Sequence, residues 1–145
     1  LDVSGLAAET VARLQADAPR PGIEVQIEAG LAARGDAGLV RLVFHSLLSN
    51  AWKFTAHVDA PRISVARADA TDATAFCVLD NGAGFDMAYA AKLFEPFERL
   101  HAPEEFPGTG IGLATVERIL RRHGGSARAV GEPGKGATIY FTLPD

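Results

Sequence analysis

With 145 residues, 48% of them hydrophobic, the chain suits one domain with a sizeable core. Its 14 basic and 18 acidic side chains leave a net charge of -4, without the basic excess of a nucleic-acid surface, and no apolar stretch approaches the ~20 residues of a membrane span. The expectation is a cytoplasmic protein with no nucleic acid and no direct membrane contact, although the opening on Leu1, inside what reads as an element, suits a piece of a longer protein whose parent is membrane-anchored or not. A single cysteine, Cys77 in the run AFCVL, excludes an internal disulfide and reads as a buried small hydrophobe.

Ser4 is a candidate cap for a helix running to about Gln15, with Leu6, Val11 and Leu14 on one face, stopped by APRPG. IEVQIEA then alternates Ile23, Val25 and Ile27 with polar residues, the period of a half-buried strand. Asp36 caps a long helix over 37–54 whose Leu39, Val40, Leu42, Val43, Leu47 and Leu48 form a broad apolar stripe. RISVARA and ATAFCVLD read as a hairpin around DATD. Residues 81–110 read as a long irregular connection holding one short helical stretch over 86–94, and such connections are usually functional or mobile. A helix over about 111–122 ends at Gly124, with Arg121, Arg122 and His123 suited to its negative end. SARAV and ATIYFTL close the chain as two strands around GEPGKG. Helices mixed with mostly antiparallel strands predict an α+β two-layer sandwich, a mixed sheet packed on about three helices.

Three short stretches carry candidate chemistry. In GTGIGL, Gly108, Gly110 and Gly112 stand against a helix start, where unpaired backbone N–H groups let an anion approach closely; a tight turn is the plain alternative. A dinucleotide fingerprint would need glycine at Leu113, and GEPGKGAT fails the P-loop because Ala129 and Gly136 stand at its fixed positions. In LDNGAGF, Asp80 ends a strand before a turn through Gly82 and Gly84, either an ordinary Asp-Asn-Gly turn or a carboxylate placed to accept from an amine on a flat ring. In SNAWKFT, Asn50 and Lys53 share a helix face, either a solvated helix end or an amide oxygen and an ammonium that meet one ligand; Mg²⁺ takes oxygen ligands and shares them with phosphates and water.

In order and spacing these stretches resemble, along nearly the whole chain, the catalytic ATP-binding domain of sensor histidine kinases, a branch of the GHKL ATPases. SNAWKFT looks like the N box, DNGAGF the G1 box, FEPF the F box, GTGIGL the G2 box and GKGAT the last glycine-rich box, while NAWKFT and the run from FERLH to RRHGG look like the phytochrome-like group. The resemblance implies ATP and Mg²⁺ as cofactors, with Asn50 as metal ligand and Asn50 and Lys53 as the catalytic pair, Lys53 reaching the phosphates. It implies that Asp80 accepts the adenine amino group, that Gly82 and Gly84 leave room for the ring, and that Thr138 lines the same pocket. Gly108, Thr109, Gly110, Ile111, Gly112 and Leu113 would form the phosphate side. Residues 86–107 would form a mobile lid in which Arg99 contacts phosphate and Phe94 and Phe97 anchor the lid; simple core packing for the two rings and a solvated charge for Arg99 are the alternatives.

Where the family usually has Asn, and its hydrolysing relatives a Glu that activates water, this chain has Ser46, a poor general base. The adjacent His45 lies about 100° further round the helix and reads as a packing residue. None of His45, His57, His101 and His123 sits in the acidic and proline context of a phosphoacceptor. The resemblance therefore implies a kinase catalytic domain that transfers the γ-phosphate to a histidine on a separate helical dimerisation domain, with a response regulator downstream. The alternatives are a nucleotide-binding regulatory module without transfer, and a GHKL-type ATPase.

Overall fold

A computed structural model describes residues 1–87, 94 and 112–145 of the chain. Most of the expected lid and of the short helix over 86–94 lies outside the described residues.

The long apolar stripe organises the molecule. Asp36 is extended (φ -82°, ψ 119°) and its Oδ1 accepts the Leu39 N–H at 2.9 Å, satisfying one of the orphan donors at the start of helix α2 (Ala37–Phe54). Asp36→Ala is therefore expected to cost about 1 kcal/mol, read as a lower midpoint in urea unfolding. Along α2, Val40, Val43, Phe44, Leu47, Leu48 and Ala51 are buried at the helical spacing of three and four, together with Trp52. Leu42, assigned to the stripe from sequence, is 49% exposed, because it stands two residues, about 200°, from Val40.

Helix α1 (Val3–Asp17) is capped by Asp2, whose carboxylate accepts the Gly5 N–H at 3.0 Å, and not by Ser4. The Ser4 hydroxyl instead donates to the Glu28 carbonyl at 2.6 Å and accepts the Leu31 N–H at 2.9 Å, so a tertiary contact takes it from the helix end. Helix α3 (Gly112–Arg122) closes before Gly124, at φ 77°. His123 follows it and bridges to the start of α2: Nδ1 lies 2.8 Å from the Ile119 carbonyl, and Nε2 accepts the Asp36 N–H at 3.1 Å. A carbonyl only accepts and an amide N–H only donates, so Nδ1 donates to the helix end while Nε2 accepts from the start of α2. The C-terminus of α3 thus meets the N-terminus of α2, and the two helices run antiparallel.

The strands are β1 (Glu24–Ile27), β2 (Arg62–Arg67), β3 (Ala75–Asp80), β4 (Ala127–Glu132) and β5 (Gly136–Thr142), in the sheet order β1-β2-β3-β5-β4. β1 pairs with β2 in parallel, Val25 opposite Ile63, and α2 is the long crossover such a pair requires. The other three pairings are antiparallel. The three helices and the five-stranded mixed sheet form the two-layer α+β sandwich expected from the sequence. Between them Phe141 meets Phe44 edge-on at 5.7 Å and stacks on Phe76 at 5.6 Å, all three rings fully buried. Cys77 is buried as expected, and desolvation pushes its thiol up from the ordinary value. Among the described residues no helix is long and apolar enough to cross a membrane.

Candidate functional site

Strand alternation decides what the end of β3 offers. Val78 and Asp80 lie on the face toward α2, and so do Ala137 and Ile139 of β5, with Ala137 directly opposite Asp80. Leu47, Asn50 and Phe54 of α2 close the pocket from above, and Leu113 of α3 and Phe85 of the loop after β3 close its sides. The walls are mostly apolar, and two polar groups converge on them, the Asp80 carboxylate and the Asn50 amide, the usual make-up of a small-molecule site.

Burial pushes the Asp80 carboxyl up from 3.8 to about 6. The Gly82 N–H, 2.8 Å from Oδ1, and the Ala137 N–H act in the opposite direction but are outweighed. The carboxylate is thus held at the pocket end with part of its accepting capacity used by the loop that follows it.

That loop is clamped by glycines, in a way the sequence did not reveal. A Cβ on Gly82 would stand 2.4 Å from the Phe54 carbonyl oxygen, and one on Gly84, at φ +67°, only 2.0 Å from that of Glu132. The close approaches that forbid a side chain here are to the protein's own backbone, not clearance for a ring. Ala83 completes the clamp, its N–H donating to the Phe54 carbonyl at 3.0 Å and its carbonyl accepting the Gly134 N–H at 2.7 Å. The Asn81 amide pins the same loop to the strand beside it, accepting the Arg62 N–H and donating to Ala60, both at 2.8 Å.

Gly112 is the first residue of α3, and a Cβ there would lie 3.5 Å from the Ser46 hydroxyl. The first turn of α3 therefore packs beside Ser46, one turn before Asn50 on α2. Lys53 is half-buried in the last turn of α2. Gly108, Thr109, Gly110, Ile111, Phe97 and Arg99 lie outside the described residues; Phe94 is described and is part of the buried core.

Two expectations are corrected. Thr138 pairs with Leu79, which is 45% exposed, and shares the sheet face turned away from the pocket; the place beside Asp80 belongs to Ala137. His45 is exposed and borders a shallow groove with Glu9, Arg13 and Arg41 on the α1 side, so it does not pack between helices. Sequence reasoning also missed the apolar walls Leu47, Phe54, Phe85, Ala137 and Ile139. Ala137 follows from the strand register once Asp80 is placed, but that register is set by the tertiary pairing and left no signal in the sequence.

A mixed five-stranded sheet covered by three helices, with a pocket at the end of β3 between sheet and α2, is the architecture of a GHKL ATPase domain. Residues 35–145 match the family described as histidine kinase-, DNA gyrase B- and HSP90-like ATPases, and the chain belongs to that family. Phytochrome-like protein Cph1 of Synechocystis sp. is 33% identical over 143 residues, 99% of this chain, and cyanobacterial phytochrome A of Nostoc sp. is 39% identical over 110 residues, 76% of it. The chain spans only 19% and 14% of the length of these two relatives. In fold it superposes on a mycobacterial sensor histidine kinase, MprB, with a TM-score of 0.79 over 99% of this chain and 96% of that one, at 24% identity. Full-length ShkA, solved in complex with AMPPNP, superposes with a TM-score of 0.78 at 28% identity, covering 99% of this chain and 30% of that one.

Proposed function

We propose that the chain is the single catalytic domain of a sensor histidine kinase, that it binds ATP with Mg²⁺, and that it transfers the γ-phosphate to a histidine on a separate helical dimerisation domain. A response regulator would take the phosphate from there, and residues 86–107 would act as the lid. The observation that supports this best is convergence: a half-buried, desolvated carboxylate, an amide on the facing helix and the first turn of α3 at Leu113 border one apolar-walled pocket.

The residues suit these ligands. Asp80 would accept the adenine amine, with Leu47, Phe54, Val78 and Ile139 against the ring. Among the described residues no three His, Cys, Asp or Glu side chains gather to hold a metal, so an ion here would rely on the Asn50 oxygen together with phosphate and water, as Mg²⁺ usually does. Mg²⁺ when bound would neutralise phosphate charge. Lys53, the α3 N-terminus and the glycines before it would orient the phosphates, and positioning with charge neutralisation carries most of phosphoryl transfer. The complex of full-length ShkA with AMPPNP is in keeping with this reading.

Asn50→Ala is expected to abolish the gain in affinity that Mg²⁺ gives a non-hydrolysable ATP analogue, while sparing much of the affinity for ADP. Equal losses with and without the metal, by titration calorimetry, would count against Asn50 as the ligand. A second reading, a module that holds nucleotide without transferring phosphate, is favoured by Ser46, which stands beside Gly112 with a hydroxyl where the family has an amide. Phosphate transfer from the loaded chain to an added helical histidine domain separates the two.

A further inference from the structure

We infer that Arg20 is a positioning residue for this nucleotide site, holding the last turn of α2 from which Asn50 and Lys53 serve the phosphates; the inference rests on the nucleotide reading above.

Arg20 lies in the APRPG segment between α1 and β1, outside the region 35–145 that matches the family and outside every glycine-rich or polar stretch picked out in the sequence. Its guanidinium nonetheless reaches the end of α2. Nη1 donates to the Trp52 carbonyl and, at 3.0 Å, to the Thr55 hydroxyl, and Nη2 donates to the Thr55 carbonyl at 2.8 Å. Thr55 is fully buried, and its hydroxyl also donates to the Ala51 carbonyl at 2.8 Å. The last carbonyls of a helix have no partner within it and carry its negative pole, so a cation with a planar fork of donors is the side chain best fitted to them. The guanidinium carbon also lies 5.6 Å from the centre of the Trp52 ring.

Arg20 is itself held in place. Its backbone N–H donates to the Gln15 side chain at 2.6 Å and its carbonyl accepts from that side chain at 3.0 Å, while the Trp52 indole N–H donates to Ala18 at 3.0 Å. The α1–β1 connection and the end of α2 are thus joined at both Arg20 and Trp52. The residues beside and between these anchors serve the site: Asn50, two residues before Trp52, lines the pocket with Phe54, Lys53 stands between them on the same turn, and the Phe54 carbonyl receives the Ala83 N–H from the loop after Asp80. Loosening this helix end shifts the Asn50 and Lys53 contacts directly and reaches the ring side only through Phe54, while Val78, Asp80 and Ile139 stay fixed by the β3–β5 pairing.

The test compares the unmodified chain with Arg20→Ala and Arg20→Lys, reading the affinity for a non-hydrolysable ATP analogue with Mg²⁺ and with chelator, at a temperature where melting curves show each variant folded. Arg20→Ala is expected to cut the Mg²⁺-dependent gain by about tenfold or more while changing the metal-free affinity far less. Arg20→Lys keeps the charge but not the fork and is expected to restore only part of the gain. Should Arg20→Ala fail to fold, the lysine variant carries the comparison by the same ratio. A melting temperature that drops while the Mg²⁺ gain stays intact would mean that Arg20 only stabilises the fold, and the inference falls. No binding to the unmodified chain overturns the nucleotide reading itself, which keeps the two failures apart.

Discussion

Asp80→Asn is expected to move stability and nucleotide affinity in opposite directions. The folded chain holds the Asp80 proton with a pKa of about 6 against an ordinary 3.8, because the carboxyl is buried. The folded state therefore binds this proton more tightly than the unfolded one. Its contribution to stability is fully present below about pH 4 and is lost as the pH rises through about 6. At pH 7.5 the site carries a buried charge costing about 3 kcal/mol relative to the unfolded chain. Asparagine carries no charge, yet its oxygen can still accept the Gly82 N–H, so the variant should gain about 2 kcal/mol at pH 7.5 and almost nothing at pH 4.

Binding responds with the opposite sign. Recognition of an adenine amine draws on the ionised carboxylate, and losing a hydrogen bond to a charged group costs about 1.5 to 3 kcal/mol, roughly ten- to a hundredfold in affinity. For the same reason the unmodified chain should bind the ATP analogue more weakly as the pH falls below about 6. Urea unfolding at both pH values and calorimetric titration at pH 7.5 give both answers. A variant that binds as well as the unmodified chain removes Asp80 from the site, and one that is no more stable at pH 7.5 removes the argument from buried charge.

Gly84→Ala is expected to be far more damaging than Gly134→Ala, although the two glycines have nearly the same backbone angle, φ +67° and +76°. At Gly134 an added Cβ meets nothing within 4 Å, so only the left-handed conformation is penalised, about 1 kcal/mol. At Gly84 the same atom would stand 2.0 Å from the Glu132 carbonyl oxygen and 2.8 Å from that of Gly136, and neither backbone can retreat without opening the β4–β5 turn. The cost there should reach about 3 kcal/mol or more, with nucleotide affinity falling as the loop after Asp80 shifts. Equal losses in urea unfolding would show that the loop yields and that the clamp is weak.

What the sequence determined by itself is the local part of this molecule. The bounds of α2 and its Asp36 cap, the β2–β3 and β4–β5 hairpins and the two-layer class were legible because periodicity, caps and turn residues act within a few positions along the chain. What only the tertiary structure decided is which face each residue presents and what meets it there. The parallel pairing of β1, the exposure of Leu42, the loss of Ser4 from a helix cap to Glu28 and Leu31, and the choice of Ala137 over Thr138 beside Asp80 all depend on a neighbour distant in sequence. A strand shifted by one residue turns every side chain to the other face, so Thr138 could be placed only once its register with Leu79 was known. Gly82 and Gly84 were visible as glycines, but their reason, the carbonyls of Phe54 and Glu132, comes from elements about thirty and fifty residues away. Arg20 carried no sequence signal, because capping a helix end 32 residues downstream is a property of packing.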